Sequence, residues 1–412
     1  MPQEMRSAGG EDFAMIGALS YRQVLGDNSV LAHTVPCLEG SGGSGTCEEP
    51  FMFVKGLGSS GDTGTIDDNY PAALFYLWRQ PTLLNALLNP INHYMANDTF
   101  CSTCGWPKNQ TWQHRYSIHY LGQYPIAELQ CWGNHFQGGI SQHCEDMPLE
   151  MTADNLQMSA AAAFAQGDFA TVNRFWPLFT QYADYLVANG LDPVKQLCSD
   201  DFEGPSPHNA NLAAKSILGI ATFSALCDAT NRTCGARYMA TARRYAKQWV
   251  KLSAGGRAGA SRRDYDSAFS WSQKYNLIWD SVFGWGLFTA AIERECAMIM
   301  APNSTVRQEF SWFLDDRSET DKRHLTNAGW SEWTAAMCGQ SAVDDLYGRL
   351  LRFSRETPDR WALSDYFNAA SGRRIGFEGR AQMGGFGGSL ALRRYPDGLL
   401  RHHGQQTAAP GE

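Results

Sequence analysis

The residues best suited to chemistry stand together in one stretch, Gln196-Leu197-Cys198-Ser199-Asp200-Asp201-Phe202-Glu203, followed by Pro207-His208-Asn209-Ala210-Asn211-Leu212. Two adjacent carboxylates, Asp200 and Asp201, are followed by an imidazole, His208, and two side-chain amides, Asn209 and Asn211. Paired carboxylates can divide acid and base work in a hydrolysis, because proximity and burial push their pKa values apart. Side-chain amides can hold an oxyanion or a polar substrate group. The same residues have a plainer use: Asn caps helices, and acids before a helix complement its N-terminus. The density of polar groups beside an apolar helix favours a site. A second stretch, Trp271-Ser272-Gln273-Lys274-Tyr275-Asn276-Leu277-Ile278-Trp279-Asp280, sets a lysine among aromatic residues. Its plain use is a salt bridge with Asp280. No G-x-S-x-G, S-x-x-K or H-E-x-x-H pattern occurs. Cys101-Ser102-Thr103-Cys104 has zinc spacing, but no second C-x-x-C completes a tetrahedral set. No metal or cofactor is expected.

Groups of this kind must be held by junctions between loops and helices. Leu212–Leu226 reads as a long apolar helix whose first turn carries the Asn residues. Helical signals cover 12–25, 71–78, 81–96, 149–166, 169–189, 208–229, 235–254, 286–301, 327–338 and 341–355, with short turns between most of them. The helices 208–229 and 235–254, joined across Cys227 and Cys234, form a predicted αα-hairpin. Strand signals are few; Phe51–Lys55 is one. Residues 98–146 are irregular and rich in Trp, His and Cys, as functional loops or tethered insertions are. Gly384–Gly388 reads as a close-packing segment, not a phosphate loop. Residues 1–11 are read as a lead-in, 12–395 as one domain and 396–412 as a disordered tail.

The stretch from Gln196 to Phe223 closely resembles the signature of the fungal and bacterial glutaminase A family, and Trp271–Asp280 is a second match. Met147-Pro148-Leu149-Glu150, Gly64-Thr65-Ile66-Asp67 with Tyr70-Pro71, and Gly376-Phe377 with Arg380 follow the family's order, so the resemblance spans about residues 12–392. It implies an all-α fold, a six-hairpin (α/α)6 toroid with long irregular loops on one face. It also implies hydrolysis of the L-glutamine side-chain amide to L-glutamate and ammonia. The implied catalytic carboxylates are Asp200, Asp201, Glu150 and Asp67. The implied substrate contacts are His208, Asn209, Asn211, Trp271, Gln273, Lys274, Asp365 and Arg380, of which Lys274 and Arg380 suit a carboxylate. Three positions depart from the family: Tyr120 and Met151 replace acidic residues, and Asp154 replaces an Asn. A phenol, with its pKa near 10, cannot replace a carboxylate as a base near neutral pH. A glycoside hydrolase using paired carboxylates on such a barrel, and a non-catalytic relative, are the competing readings.

Composition narrows the classes. The chain has 412 residues, a net charge of −8 and no long basic run, which argues against nucleic acid as a partner. No run of about eighteen apolar residues is seen, so no membrane span is expected; the expected partner is a small molecule. Thirteen Trp and sixteen Tyr exceed what packing needs, which suggests either a cleft lined by aromatics or a thick core. Eleven cysteines, several closely spaced (37 with 47, 101 with 104, 131 with 144, 227 with 234), suit local disulfides. Together with sequons at Asn97, Asn109, Asn231 and Asn303 they point to a secreted glycoprotein. The first residues lack the apolar core of a signal peptide; beside the signal and β-rich N-terminal domain that the resemblance implies, the sequence reads as a truncated gene model, a fragment or a shortened homologue.

Overall fold

The computed structural model describes residues 2–37, 45–56, 61–96, 115–124, 147–198, 204–320, 322–359 and 361–408. The protein is mostly helical. Its central element is the helix Ala210–Ala229, whose side chains are buried on every side from Ala210 to Cys227. This helix is long and apolar enough to cross a membrane by length and composition, yet it lies inside the protein. It packs between Pro148–Gln166, Trp176–Asn189 and Gly235–Leu252. Gly219 permits one of these approaches: a Cβ there would stand 2.7 Å from a Leu186 methyl. Gly235–Leu252 is two-faced. Tyr238, Ala242, Ala246 and Trp249 recur at helical spacing and are buried, while Arg243, Arg244, Lys247 and Lys251 are exposed. The hairpin between these two helices is closed by a Cys227–Cys234 disulfide.

The helix Pro2–Gly26 packs on Gln340–Glu356 and on the turn Ala381–Phe386, so the two ends of the chain meet. The glycines of 384–388 let this turn press against the helices Ala73–Arg79 and Ala328–Cys338. A Cβ on Gly387 would stand 2.1 Å from the Phe75 nitrogen, and one on Gly385 would stand 2.4 Å from the Gly329 oxygen. The first residues, read as a lead-in, form a helical segment from Pro2 that buries Met5 and Ala8 and is kinked at Gly9–Gly10, where the backbone leaves helical geometry. The tail, read as disordered, forms a helix at Leu399–Ala408. Leu399 is buried, and the His403 ring packs on Phe164 and Phe169, which supply the apolar surface that a free tail would lack.

Strand content was underestimated. The predicted strand is half of a hairpin, Asn28–Pro36 with Thr46–Val54, closed by Cys37–Cys47. A three-stranded antiparallel sheet, Leu325–Asn327, Ser364–Asn368 and Arg374–Glu378, carries the late polar segments. Among the described residues most of the aromatics belong to the core. Trp249, Trp271, Trp279, Trp312, Trp330 and Trp333 are fully buried. Tyr275 stacks on Trp330 at 4.3 Å, and Trp333 meets Tyr70 edge-on at 5.0 Å.

Candidate active site

A lysine on the central helix draws the polar groups together. Lys215 is fully buried, with Nζ 2.5 Å from Glu150 Oε1 and 2.7 Å from Asp154 Oδ1. Glu150 and Asp154 are one helical turn apart on Pro148–Gln166 and so share a face. The ammonium also lies 3.9 Å from the centre of the Tyr70 ring. Tyr70 donates to Gln157 Oε1 at 2.5 Å, and Gln157 Nε2 donates to the Lys215 carbonyl at 3.1 Å. Two carboxylates thus face one ammonium where water is scarce, and an unbalanced buried charge is strongly unfavourable. Burial pushes the Asp154 carboxyl well above the usual carboxylate range in spite of Lys215, with Glu150 and Asp67 adding to the rise. Burial opposes the charge on Lys215, but the two acids more than offset it and hold its pKa above the usual value. Of the two acids facing the Lys215 ammonium, Asp154 is thus the one that its surroundings favour in the protonated form. Asp154 Oδ2 makes no hydrogen bond among the described residues.

A second buried cluster adjoins the first. Arg380 Nη1 donates to Asp68 Oδ1 at 2.7 Å, Nη2 to Asp365 Oδ2 at 2.6 Å and Nε to Asp365 Oδ1 at 3.2 Å. Its guanidinium also covers the Phe377 ring at 4.1 Å. Asn327 Nδ2 donates to Asp365 and Gln382. Burial lifts Asp68 to about 6 against the pull of Arg380, with Asp67 and Asp365 reinforcing the rise. Its neighbour Asp67 goes the other way. Burial opposes ionisation of Asp67, but His119, Arg380 and Lys215 together outweigh it and hold its pKa below the usual value. His119 Nε2 is 3.5 Å from Asp67 Oδ1. Adjacent acids with pKa values moved in opposite directions are the usual signature of divided acid and base roles.

The structure brings Asp67, Glu150, Asp365 and Arg380 into these two joined clusters. It places other candidates elsewhere. Asn209 caps the central helix, accepting from Leu212 N at 3.0 Å, and its Nδ2 donates to Cys198 Sγ at 3.5 Å. His208 is on the surface, 2.5 Å from Asp192 and 3.6 Å from Asp266, which raise its pKa. Trp271 donates its indole N–H to Glu295 at 2.7 Å. Gln273 Nε2 donates to the Phe313 carbonyl and to Ser331, and its Oε1 accepts from Thr334. Lys274 Nζ donates to the Ser272 carbonyl and hydroxyl at 2.8 and 3.0 Å, in place of the salt bridge with Asp280. Asp280 accepts from the amides of Leu287 and Phe288. The donors expected to meet a substrate at Trp271, Gln273 and Arg380 thus hold the protein's own acceptors. Asp200 and Asp201 lie outside the described residues. Gly204, just after them, accepts from Arg317, itself paired with Asp315.

Lys215, Asp68 and His119 were not singled out from the sequence. Lys215 had a clear signal: a cation in the middle of an all-apolar helix is buried, and a buried lysine needs carboxylate partners. His119 sits beside Tyr120, the residue that replaces an acid, and faces Asp67 itself.

Residues 10–389 match the sequence family described as the Glutaminase A six helical-hairpin domain. The chain is 27% identical over 390 residues to "Glutaminase A" of Aspergillus oryzae, covering 92% of this chain and 50% of that protein. It is 23% identical over 472 residues to a protein of Arthroderma benhamiae named "Probable glutaminase", covering 97% of this chain and 52% of that one. The chain therefore spans about half the length of the curated relatives it matches.

Proposed function

Because the chain belongs to the glutaminase A six helical-hairpin family, we propose that it is an amidohydrolase that converts L-glutamine to L-glutamate and ammonia. The observation that carries this reading is the buried Lys215–Glu150–Asp154 set lying against the Asp67–His119 pair. Amide hydrolysis needs a base to activate water and an acid to protonate the departing nitrogen. Asp67, held ionised, is the proposed base. Asp154, held protonated with an uncommitted oxygen, is the proposed acid. Glu150 keeps Lys215 charged and in place. Arg380, held by Asp365 and Asp68, favours the ionised form of Asp67 through its charge. Asp200 and Asp201, on the loop leading to the central helix, remain proposed members of the same site.

The hairpins are proposed to close into a toroid, which the packing of the first helix on Gln340–Glu356 supports. An extracellular setting is supported by disulfides at Cys37–Cys47, Cys227–Cys234 and Cys296–Cys338, and by exposed sequons at Asn231 and Asn303. Cys101, Cys104, Cys131, Cys144, Asn97 and Asn109 lie outside the described residues.

The test is ammonia release from L-glutamine beside reducing-sugar release from a glycan panel. Asp67→Asn should lower turnover of L-glutamine by about 10²–10⁴-fold with the melting temperature little changed. Sugar release without ammonia release would replace this reading with the glycosidase one. Absence of both would leave a non-catalytic relative.

A further inference from the structure

One tryptophan stands apart from the core and beside a hollow that the proposed reaction does not use. Trp361 is 65% exposed. It lies between the helix Gln340–Glu356 and the strand Ser364–Asn368. The Arg374 guanidinium lies over its ring, 4.6 Å from the centre. Arg374 is held in turn by an ion pair with Glu378 on the same strand. One face of the indole is thereby covered and fixed, and a ring this exposed leaves its other face to solvent. Beside it is a hollow of about 80 Å³, lined by both of these side chains and by Asp359, Thr357, Ser354 and Ser364. Several polar groups here are uncommitted. Asp359 Oδ2 accepts from the Arg374 amide at 2.7 Å, but its Oδ1 makes no hydrogen bond among the described residues. Nor do the Trp361 indole N–H and the Arg374 Nε and Nη2 groups. The Thr357 and Ser364 hydroxyls donate to the carbonyls of Gly372 and Gly376, each at 2.7 Å, and each keeps a lone pair to accept with.

The ligand that fits must be flat and apolar on one face and rich in groups that both donate and accept at its edge. A quaternary ammonium would meet the Arg374 cation already stacked on the same ring. A polyanion would meet the Asp359 and Glu378 carboxylates. An apolar side chain would cover the free donors and acceptor without satisfying them. A pyranose with equatorial hydroxyls meets every requirement. Its axial C–H groups form an apolar face for the indole, and each edge hydroxyl can donate to Asp359 Oδ1 while accepting from Arg374 or the indole N–H. The hollow is far smaller than the roughly 300–1,000 Å³ of an enclosing small-molecule pocket. It therefore suits the edge of one sugar unit, with the rest of a chain lying outside. We infer that Trp361, Asp359 and Arg374 form a surface subsite for a neutral pyranose unit of a saccharide. The stack on Arg374 fixes the platform before the ligand arrives, which lowers the ordering cost of binding. The saccharide is either an external one or an Asn-linked glycan of this protein, since both present the same chemistry. The inference is independent of the amidohydrolase reading.

Titration of the full chain with cellotetraose and with sorbitol, followed by ligand-observed saturation-transfer NMR, tests it. The protein is made in a glycosylating host and titrated before and after enzymatic removal of its Asn-linked glycans. Cellotetraose should bind at least about tenfold more tightly than sorbitol, which has the hydroxyls without the ring face. Trp361→Ala should weaken cellotetraose by at least about tenfold and leave the melting temperature unchanged, because the side chain is mostly outside the core. Arg374→Gln removes the donors and the support of the ring, so it should weaken binding comparably and serves if the first variant fails to fold. Binding to both forms of the protein assigns the subsite to an external saccharide. Binding that appears only after the glycans are removed assigns it to the protein's own glycan. Cellotetraose binding that is absent in both forms, equal to that of sorbitol, or unchanged in both variants overturns the inference. So does self-association that Trp361→Ala abolishes in a protein that binds no sugar, since the ring would then belong to an interface between copies.

Discussion

Asp154→Asn separates the proposed acid from a merely structural carboxylate. The folded protein binds the Asp154 proton more tightly than the unfolded chain does, because burial raises its pKa. As pH rises past about 3.9 the unfolded carboxyl releases its proton and the folded one keeps it. The stability this proton contributes is therefore full below about pH 4. It is lost with rising pH at up to about 1.4 kcal/mol per unit, until the folded group itself titrates. The Asn variant has no such proton and no such loss. Whatever the fixed effect of the substitution, the variant should gain about 2–3 kcal/mol on the wild type between pH 4 and pH 6. Urea unfolding of both proteins at pH 4, 5 and 6 measures this. Turnover should fall by about 10²–10⁴-fold over the same range. Parallel stability curves would show that Asp154 is ionised in the folded protein, and the assignment of the acid would be wrong.

Three further outcomes follow from the same structure. Lys215→Met leaves the buried Glu150 and Asp154 carboxyls without their ammonium partner and should destabilise by about 3–5 kcal/mol, seen as a fall in the urea midpoint at pH 7. Glu332 is buried, and that burial raises its pKa well above the usual value despite the Tyr347 hydroxyl and Phe386 amide beside it. Its folded proton is likewise a source of stability lost above about pH 4.3, so Glu332→Gln should raise the melting temperature at pH 7 more than at pH 4. Cys296–Cys338 joins residues 42 apart and Cys227–Cys234 residues 7 apart. By loop-closure entropy the first contributes about 4 kcal/mol and the second about 2.5 kcal/mol, so removing the first pair by Cys→Ser should lower the urea midpoint further.

The helices were legible because their apolar spacing is strong. Pro148–Gln166, Ala210–Ala229 and Gly235–Leu252 begin and end within a few residues of expectation. The predicted helix 169–189 is broken at Phe175, where Pro177 starts a new helix at Trp176. The small sheet was missed because each strand is short, and Gly376 and the polar ends of its strands read as loop. The site was half legible. Acids at helix starts, such as Glu150 and Asp67, stand out in sequence. What pairs them does not: Lys215 lies 65 residues from Glu150, and Arg380 lies 312 from Asp68. Likewise nothing in Trp271–Lys274 distinguishes a side chain aimed at a substrate from one holding a neighbouring carbonyl.

The departures from the family pattern look different in three dimensions. Taken one at a time, Met151 and Tyr120 remove acids from the presumed site. Met151 is fully buried as an apolar residue, and three positions further on Asp154 supplies a carboxylate on the face shared with Glu150. That carboxylate reaches the same lysine. Two acids, Glu150 and Asp154, therefore stand opposite one ammonium on a helix whose residues 149–164 are all buried. Burial disfavours the ionised form of Asp154, and a carboxyl kept neutral can give a proton where an ionised one can only take it. At the other departure Tyr120 is buried and packs on His119, 5.3 Å between ring centres, while His119 faces Asp67. The phenol cannot act as a base near neutral pH, but it helps fix the imidazole that keeps Asp67 ionised. On the proposed reading, the residues around the candidate site differ from the family pattern while one carboxyl is favoured in its ionised form, Asp67, and another in its protonated form, Asp154, the two states that hydrolysis of an amide requires.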